Sequence, residues 1–94
     1  MATAEQQQPT PSRATVLDSV RAQLRGELGL IEHELPESEQ LDLLPAADSV
    51  RLMRVVAALE NEYDVEADDN AIRAADTVGD LVDLISAALA DSDR

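Results

Sequence analysis

The sequence contains no cysteine, no lysine, no tryptophan and no phenylalanine, and these absences narrow what the chain can be. Without cysteine there is neither a disulfide nor a thiolate to hold a metal, so the redox compartment is unconstrained and the cytoplasm is the default expectation. With Tyr63 as the single aromatic residue, any core must be built from Leu, Val, Ile and Ala, which favours helices packed through aliphatic side chains. The one histidine, His33, stands between Glu32 and Glu34 and has too few partners for a triad or a metal site. It is expected to be an ordinary surface residue. A Gly-rich phosphate loop, a nucleophile elbow and a metal-ligand cluster are all missing, and no catalytic activity of the chain's own is expected.

Positive charge is also scarce. Seven basic residues, all arginine, face 20 acidic ones, for a formal net charge of −13. A phosphate backbone would be repelled, and the arginines at 13, 21, 25, 51, 54, 73 and 94 are scattered among carboxylates and form no stripe, so nucleic acid is not an expected partner. Such acidity keeps a protein soluble and steers it toward basic surfaces over about 8–10 Å. The start, "MATAEQQQPTPS", lacks the basic and apolar regions of a secretory signal, and no apolar run approaches the ~20 residues that span a bilayer. A soluble protein, monomeric when free, is expected.

What remains is helical periodicity. Residues 1–12 are polar, with three glutamines and two prolines, and read as a disordered tail. From about Ser12 a helix is predicted through Leu17, Val20, Leu24 and Leu28, stopping at Gly29. Residues 30–47 hold two prolines and irregularly spaced Leu35, Leu41, Leu43 and Leu44; they suit a long ordered loop pinned by leucines, and a loop this long usually has a job. A second helix should start with Asp48 as N-cap and end at Glu62 or Tyr63. Its inner face is then Leu52, Val55, Val56, Leu59 and Tyr63, and its outer face Val50, Arg54, Ala57 and Asn61, flanked by Arg51 and Ala58. A short helical turn follows near residues 70–75. Thr77 with Asp80 makes a capping-box start for a last helix through Val78, Leu81, Val82, Ile85 and Leu89 to about Ala90, with 91–94 as a C-terminal tail. The fold class is therefore all-α, a small four-helix bundle of three longer helices and one short one.

Few residues invite a chemical reading. "DVEADDN", residues 64–70, resembles a calcium loop only superficially, since an EF-hand beginning at Asp64 needs glycine and glutamate where Asp69 and Ala75 stand. The pairs Glu60 with Glu62 and Asp80 with Asp83 have helix-surface spacing and no apolar pocket to raise a pKa, so they read as solvated faces. Ala57, Ala58, Ala74 and Ala75 either border a pocket between helices or simply pack closely. The tetrapeptide Asp-Ser-Val-Arg occurs twice, at 18–21 and 48–51. Ser19 lies inside the first helix and reads as a surface residue. Ser49 follows an N-cap, so its hydroxyl projects beside unpaired backbone N–H groups near the positive end of the helix dipole. That geometry suits a covalently attached phosphate, although Asp-Ser before an apolar run is also a common capping pair.

Taken together, Asp48-Ser49-Val50, then Ala58-Leu59-Glu60 through Tyr63-Asp64-Val65, then Thr77-Val78-Gly79-Asp80-Leu81-Val82, resemble the acyl carrier and peptidyl carrier protein family over residues 13–90. The family pattern has glycine where this chain has Ala46, and Leu, Ile or Met where it has Val50. The resemblance implies a stand-alone carrier with no catalysis of its own, on which a phosphopantetheinyl transferase attaches 4′-phosphopantetheine from coenzyme A to Ser49. Asp48 and Val50 complete the attachment motif. The arm's thiol would hold an acyl or aminoacyl group as a thioester, and one tethered intermediate could visit several enzymes, among them a loading enzyme and a downstream synthase or transferase. Val50, Arg51, Arg54, Ala57, Ala58 and Asn61 are the implied docking residues. Arg51 and Arg54 depart from the acidic second helix of fatty-acid carriers, and with the lysine-free, Ala- and Arg-rich composition they suggest a polyketide or nonribosomal peptide pathway. A housekeeping fatty-acid carrier and an unmodified helical adaptor are the alternatives.

Overall fold

The structure is a computed structural model and describes residues 11–92; all but the last two residues of the expected N-terminal tail lie outside them. Four helices follow in order: α1 Arg13–Leu28, α2 Ser49–Tyr63, α3 Asp69–Ala74 and α4 Val78–Ser92. Among the described residues there is no strand, only a single bridge between Gln40 and Thr77. The helical bundle expected from the periodicity is the observed fold. The last helix runs to Ser92, two residues beyond the expected end, because nothing in "LADS" interrupts it.

The helix ends are set by local chemistry. Ser12 caps α1 by accepting a hydrogen bond from the Thr15 N–H, and Gly29 closes it at φ 70°, a left-handed conformation that glycine adopts without a Cβ clash. The Leu30 N–H then donates to the Arg25 carbonyl, and Leu30 is buried. The end of α2 repeats this arrangement with Asp64 at φ 55°, Val65 donating to the Glu60 carbonyl and Val65 buried. Asp48 caps α2 and Asp68 caps α3.

The core is aliphatic. From α1 come Val16, Val20, Leu24 and Leu28; from α2 Val55, Val56 and Leu59; from α4 Val78, Leu81, Val82, Ile85 and Leu89. α1 packs on both α2 and α4, and α4 also touches α2 and α3. Val16 takes the place expected of Leu17, which is only partly buried; the stripe drifts because steps of four follow the helix more closely than the step of three from Leu17 to Val20. Leu52 and Tyr63 border the core without being fully buried.

The connection from α1 to α2 is ordered by three kinds of contact. Leu30, Leu35, Leu41 and Leu44 are buried, whereas Leu43 faces solvent at 70 % exposure. A turn of 3-10 helix at Leu41–Leu43 interrupts the expected loop; it turns Leu41 inward and Leu43 outward. Arginines of α1 hold the loop's backbone, Arg21 donating to the Leu35 carbonyl and Arg25 to the His33 carbonyl at 2.9 and 3.0 Å. The loop then meets the start of α4: Leu41 donates to the Asp76 carbonyl, Val78 to the Glu39 carbonyl and Gly79 to the Glu37 carbonyl. Gly79 packs closely on the loop: a Cβ there would lie 3.2 Å from the Glu37 carbonyl oxygen, tighter than side chains usually approach. His33 is exposed, as expected.

Of the paired carboxylates, Glu62 and Asp83 face solvent as expected and Glu60 and Asp80 are half-buried, and all four accept hydrogen bonds. Glu60 accepts from the Ala67 N–H, Glu62 from the Ser19 hydroxyl, and Asp83 from Arg13. Asp80 accepts from the Asp76 and Thr77 N–H groups while Thr77 accepts from the Asp80 N–H, a reciprocal capping box. The N–H bonds, from Asp76 first and Thr77 second, hold the Asp80 carboxyl below its ordinary value of 3.8. Arg13 likewise lowers Glu37. A depressed folded-state value means that this stability is fully present above the ordinary carboxyl range and is lost as pH falls through the depressed value. Asp80→Asn should therefore cost on the order of 1 kcal/mol at neutral pH, with the gap to the parent closing below about pH 4. Urea melts at several pH values measure it; a gap that stays constant to pH 3 contradicts the assignment.

Candidate functional site

Asp48 has the extended backbone of an N-cap, and its Oδ1 accepts from the Arg51 N–H at 2.8 Å. Ser49 is the first helical residue after it and is exposed, and its hydroxyl has no hydrogen-bond partner among the described residues. Ser19, in the other copy of the tetrapeptide, is half-buried; its hydroxyl bonds to the Tyr63 hydroxyl and to Glu62. The expectation that Ser19 is a plain surface residue is thus corrected: it joins α1 to α2. The cause is its position on the α1 flank that faces the end of α2, which one-helix periodicity does not reveal.

Two apolar surfaces meet at Ser49. On the outer face of α2, Val50, Met53, Arg54 and Ala57 form an open patch with it, in which Val50 is 61 % and Met53 49 % exposed. On the other side Ser49 borders a cavity of about 370 Å³ between α2 and α3, lined by Leu52, Val56, Ile72, Ala75, Leu81 and Arg73 among others. Of the four alanines, only Ala75 reaches this cavity. Ala58 and Asn61 stand apart from the patch, beside Asp18, Ser19 and Glu62 in the groove between α1 and α2. Asn61 lies about 18 Å along the helix from Ser49. Met53 escaped the sequence reading, although its place one turn after Ser49 was a usable signal.

Both arginines of the outer face have carboxylate neighbours. Arg51 Nε is 3.8 Å from Asp48 Oδ2, and Arg54 Nη1 is 3.4 Å from Glu27 Oε2. These exposed pairs contribute little energy, but they reduce the basic character inferred for that face from α2 alone.

A phosphate ester needs a reachable hydroxyl, favourable potential and room. Ser49 supplies the first, the N-terminal end of a 15-residue helix the second, and the flanking cavity the third. The residues therefore fit a phosphopantetheine arm. Among the described residues no acidic or histidine cluster is arranged to hold a metal, and no helix is long and apolar enough to cross a membrane.

Comparison with known proteins agrees. The sequence profile of the family described as "phosphopantetheine attachment site" matches residues 18–85. The chain belongs to the phosphopantetheine-binding acyl carrier family. It is 35 % identical to acyl carrier protein 3 of Ralstonia nicotianae over 79 residues, 84 % of this chain and 91 % of that one. It is 34 % identical to the acyl carrier protein of Tropheryma whipplei over 83 residues, 84 % and 96 % of the two chains. The solution structure of the acetyl actinorhodin acyl carrier protein from Streptomyces coelicolor superposes with TM-score 0.61 at 30 % identity, covering 98 % of this chain and 99 % of that one. Members are carriers, not enzymes, and bear a covalently attached 4′-phosphopantetheine. Membership implies encounters with a phosphopantetheinyl transferase and with acyl-handling enzymes.

Membership also gives Ala46 a meaning. Its φ is 66°, a left-handed conformation that costs a residue with a Cβ about 1–2 kcal/mol. This is the physical reason for the glycine of the family pattern two residues before the aspartate. Ala46→Gly should stabilise this carrier by about 0.5–1 kcal/mol, the strain relieved exceeding the added unfolded-state entropy. The thermal midpoint would rise by several degrees; a lower midpoint would show that Ala46 is unstrained.

Proposed function

We infer that Ser49 is the attachment residue and that this carrier works in the cytoplasm in a polyketide or nonribosomal peptide pathway. The observation that carries the attachment is the contrast between two serines in identical tetrapeptides. Ser49 has an exposed, unbonded hydroxyl at a helix start, whereas the Ser19 hydroxyl is committed to Tyr63 and Glu62. In a transferase complex the Ser49 Oγ bonds to the pantetheine-side phosphorus of coenzyme A. The bond from that phosphorus to its bridging oxygen breaks, 3′,5′-ADP leaves, and the hydroxyl proton passes to a base of the transferase. Once attached, the arm supplies a thiol that carries an acyl or aminoacyl group as a thioester.

The chain's own contribution is presentation. Asp48 fixes where α2 begins and keeps the Arg51 N–H occupied, so the hydroxyl one residue later stands clear of the bundle. Its carboxylate repels a neighbouring phosphate, and the Arg51 guanidinium nearby offsets part of that repulsion. Val50, Met53 and Ala57 offer an apolar docking patch with Arg54 in it, suited to enzymes with apolar or acidic surfaces. Support for the pathway comes from this partly basic patch and from the likeness to the actinorhodin carrier, a polyketide carrier.

Incubation with coenzyme A, Mg²⁺ and a promiscuous transferase should add one phosphopantetheine to the intact mass, and Ser49→Ala should abolish the gain. An unmodified parent would mark a helical adaptor instead. For docking, Arg54→Glu is expected to slow acyl transfer by the cognate loading enzyme several-fold, in proportion to the loss of one rim charge; identical rates with every pathway enzyme reject a role for that face.

A further inference from the structure

The cavity between α2 and α3 has a second polar residue on its wall. Arg73, in the last turn of α3, lines it together with Ser49, and the rest of the lining is apolar. Of the described arginines, Arg13, Arg51 and Arg54 each have a carboxylate within 4 Å, and Arg21 and Arg25 donate to backbone carbonyls. Arg73 is exposed and has no such partner among the described residues. It forms no ion pair even with Asp69, four residues earlier on the same helix, where such pairs commonly form. In a chain with 20 acidic residues, a guanidinium left unpaired beside the attachment serine is out of pattern.

We propose that Arg73 holds the phosphodiester of the arm on Ser49, seating the base of the arm over the α2–α3 cavity and away from the outer face of α2. This rests on attachment at Ser49. The diester anion is bonded directly to the serine oxygen, and Ser49 and Arg73 share the lining of this cavity. Asp48 opposes it, the Arg51 guanidinium lies near that aspartate, and Arg54 is near Glu27. Arg73 is the cation on this cavity's lining, and no carboxylate of the described residues lies within 4 Å of it. A planar guanidinium matches phosphate oxygens, and the apolar cavity wall strengthens the attraction relative to open water. The consequence is a resting position: Val50, Met53 and Ala57 stay uncovered for a docking enzyme, and an enzyme carboxylate that competes for Arg73 releases the arm.

The test uses isotopically labelled protein converted to the arm-bearing form and confirmed by mass. On conversion, the Arg73 Nε–H resonance should shift and exchange with solvent about fivefold more slowly, the scale of one exposed charge pair. The ³¹P resonance of the arm should differ between the parent and Arg73→Gln, with Arg73→Lys intermediate. That difference should shrink in 1 M salt, where screening acts within about 3 Å. A normal mass gain with an unchanged Arg73 signal, and the same ³¹P resonance in all three proteins, overturns the proposal while leaving attachment intact. A shift that appears only after the thiol is loaded with a carboxylate-bearing acyl group also overturns it, because the guanidinium then serves the cargo. No mass gain in the parent removes both readings.

Discussion

Between Leu28 and Ser49 the chain must cross the bundle with no more than one 3-10 turn to satisfy its backbone, and everything at the Ser49 end depends on how that crossing is held. Buried leucines supply only non-directional attraction. Direction comes from hydrogen bonds that α1 and α4 send to the loop. Arg21 and Arg25 take the Leu35 and His33 carbonyls, and the first N–H groups of α4 take those of Glu37 and Glu39. These N–H groups have no partner within their own helix, so the loop and the helix start satisfy each other. Arg13 adds an ion pair to Glu37 and another to Asp83, bracketing the same junction from α1. The loop therefore reaches Asp48 from a defined direction, and α2 begins where the cap requires.

The same contacts explain how a strongly acidic chain uses so few cations. Five of the arginines are spent within the protein, on loop carbonyls or on one or two carboxylates each. Most of these sites are exposed, where an ion pair adds at most about 1 kcal/mol, and their value lies more in fixing geometry than in net stability. The excess negative charge stays on the surface, and several of those carboxylates cap helix starts, where the dipole favours them. The acidity is thus partly structural: Asp48, Asp68 and Asp80 each receive backbone N–H groups at a helix start.

Much of this was legible in advance. The bundle, the cap at Asp48, the stop at Gly29 and the capping box at Thr77 follow from local rules that act within a few residues. What escaped were relations between elements. No periodicity within α1 tells that Ser19 meets Tyr63, and none within α2 tells that Arg54 meets Glu27, because each depends on how two helices rotate about their own axes when packed. The 3-10 turn at Leu41–Leu43 was hidden by its length, too short for a periodic signal. Arg73 read as one scattered charge among many; its place on a cavity wall appears only when α3 is set against α2.

The two copies of Asp-Ser-Val-Arg show why a motif needs its context. An N-cap aspartate must have an extended backbone so that its side chain can reach the N–H three residues on. Asp48 has that conformation, two residues after the left-handed Ala46 and beyond the end of the loop. Asp18 cannot, since the residues before it are already helical and Ser12 has capped that helix. Once α1 is committed, Ser19 is one more interior position, available to bond a neighbouring helix. The hydroxyl at 49 is left exposed by what precedes it. Ala46, the residue that departs from the family pattern, and Ser49 consequently lie in one short turn, where the left-handed backbone at the first is followed by the N-cap and exposed hydroxyl of the next residues.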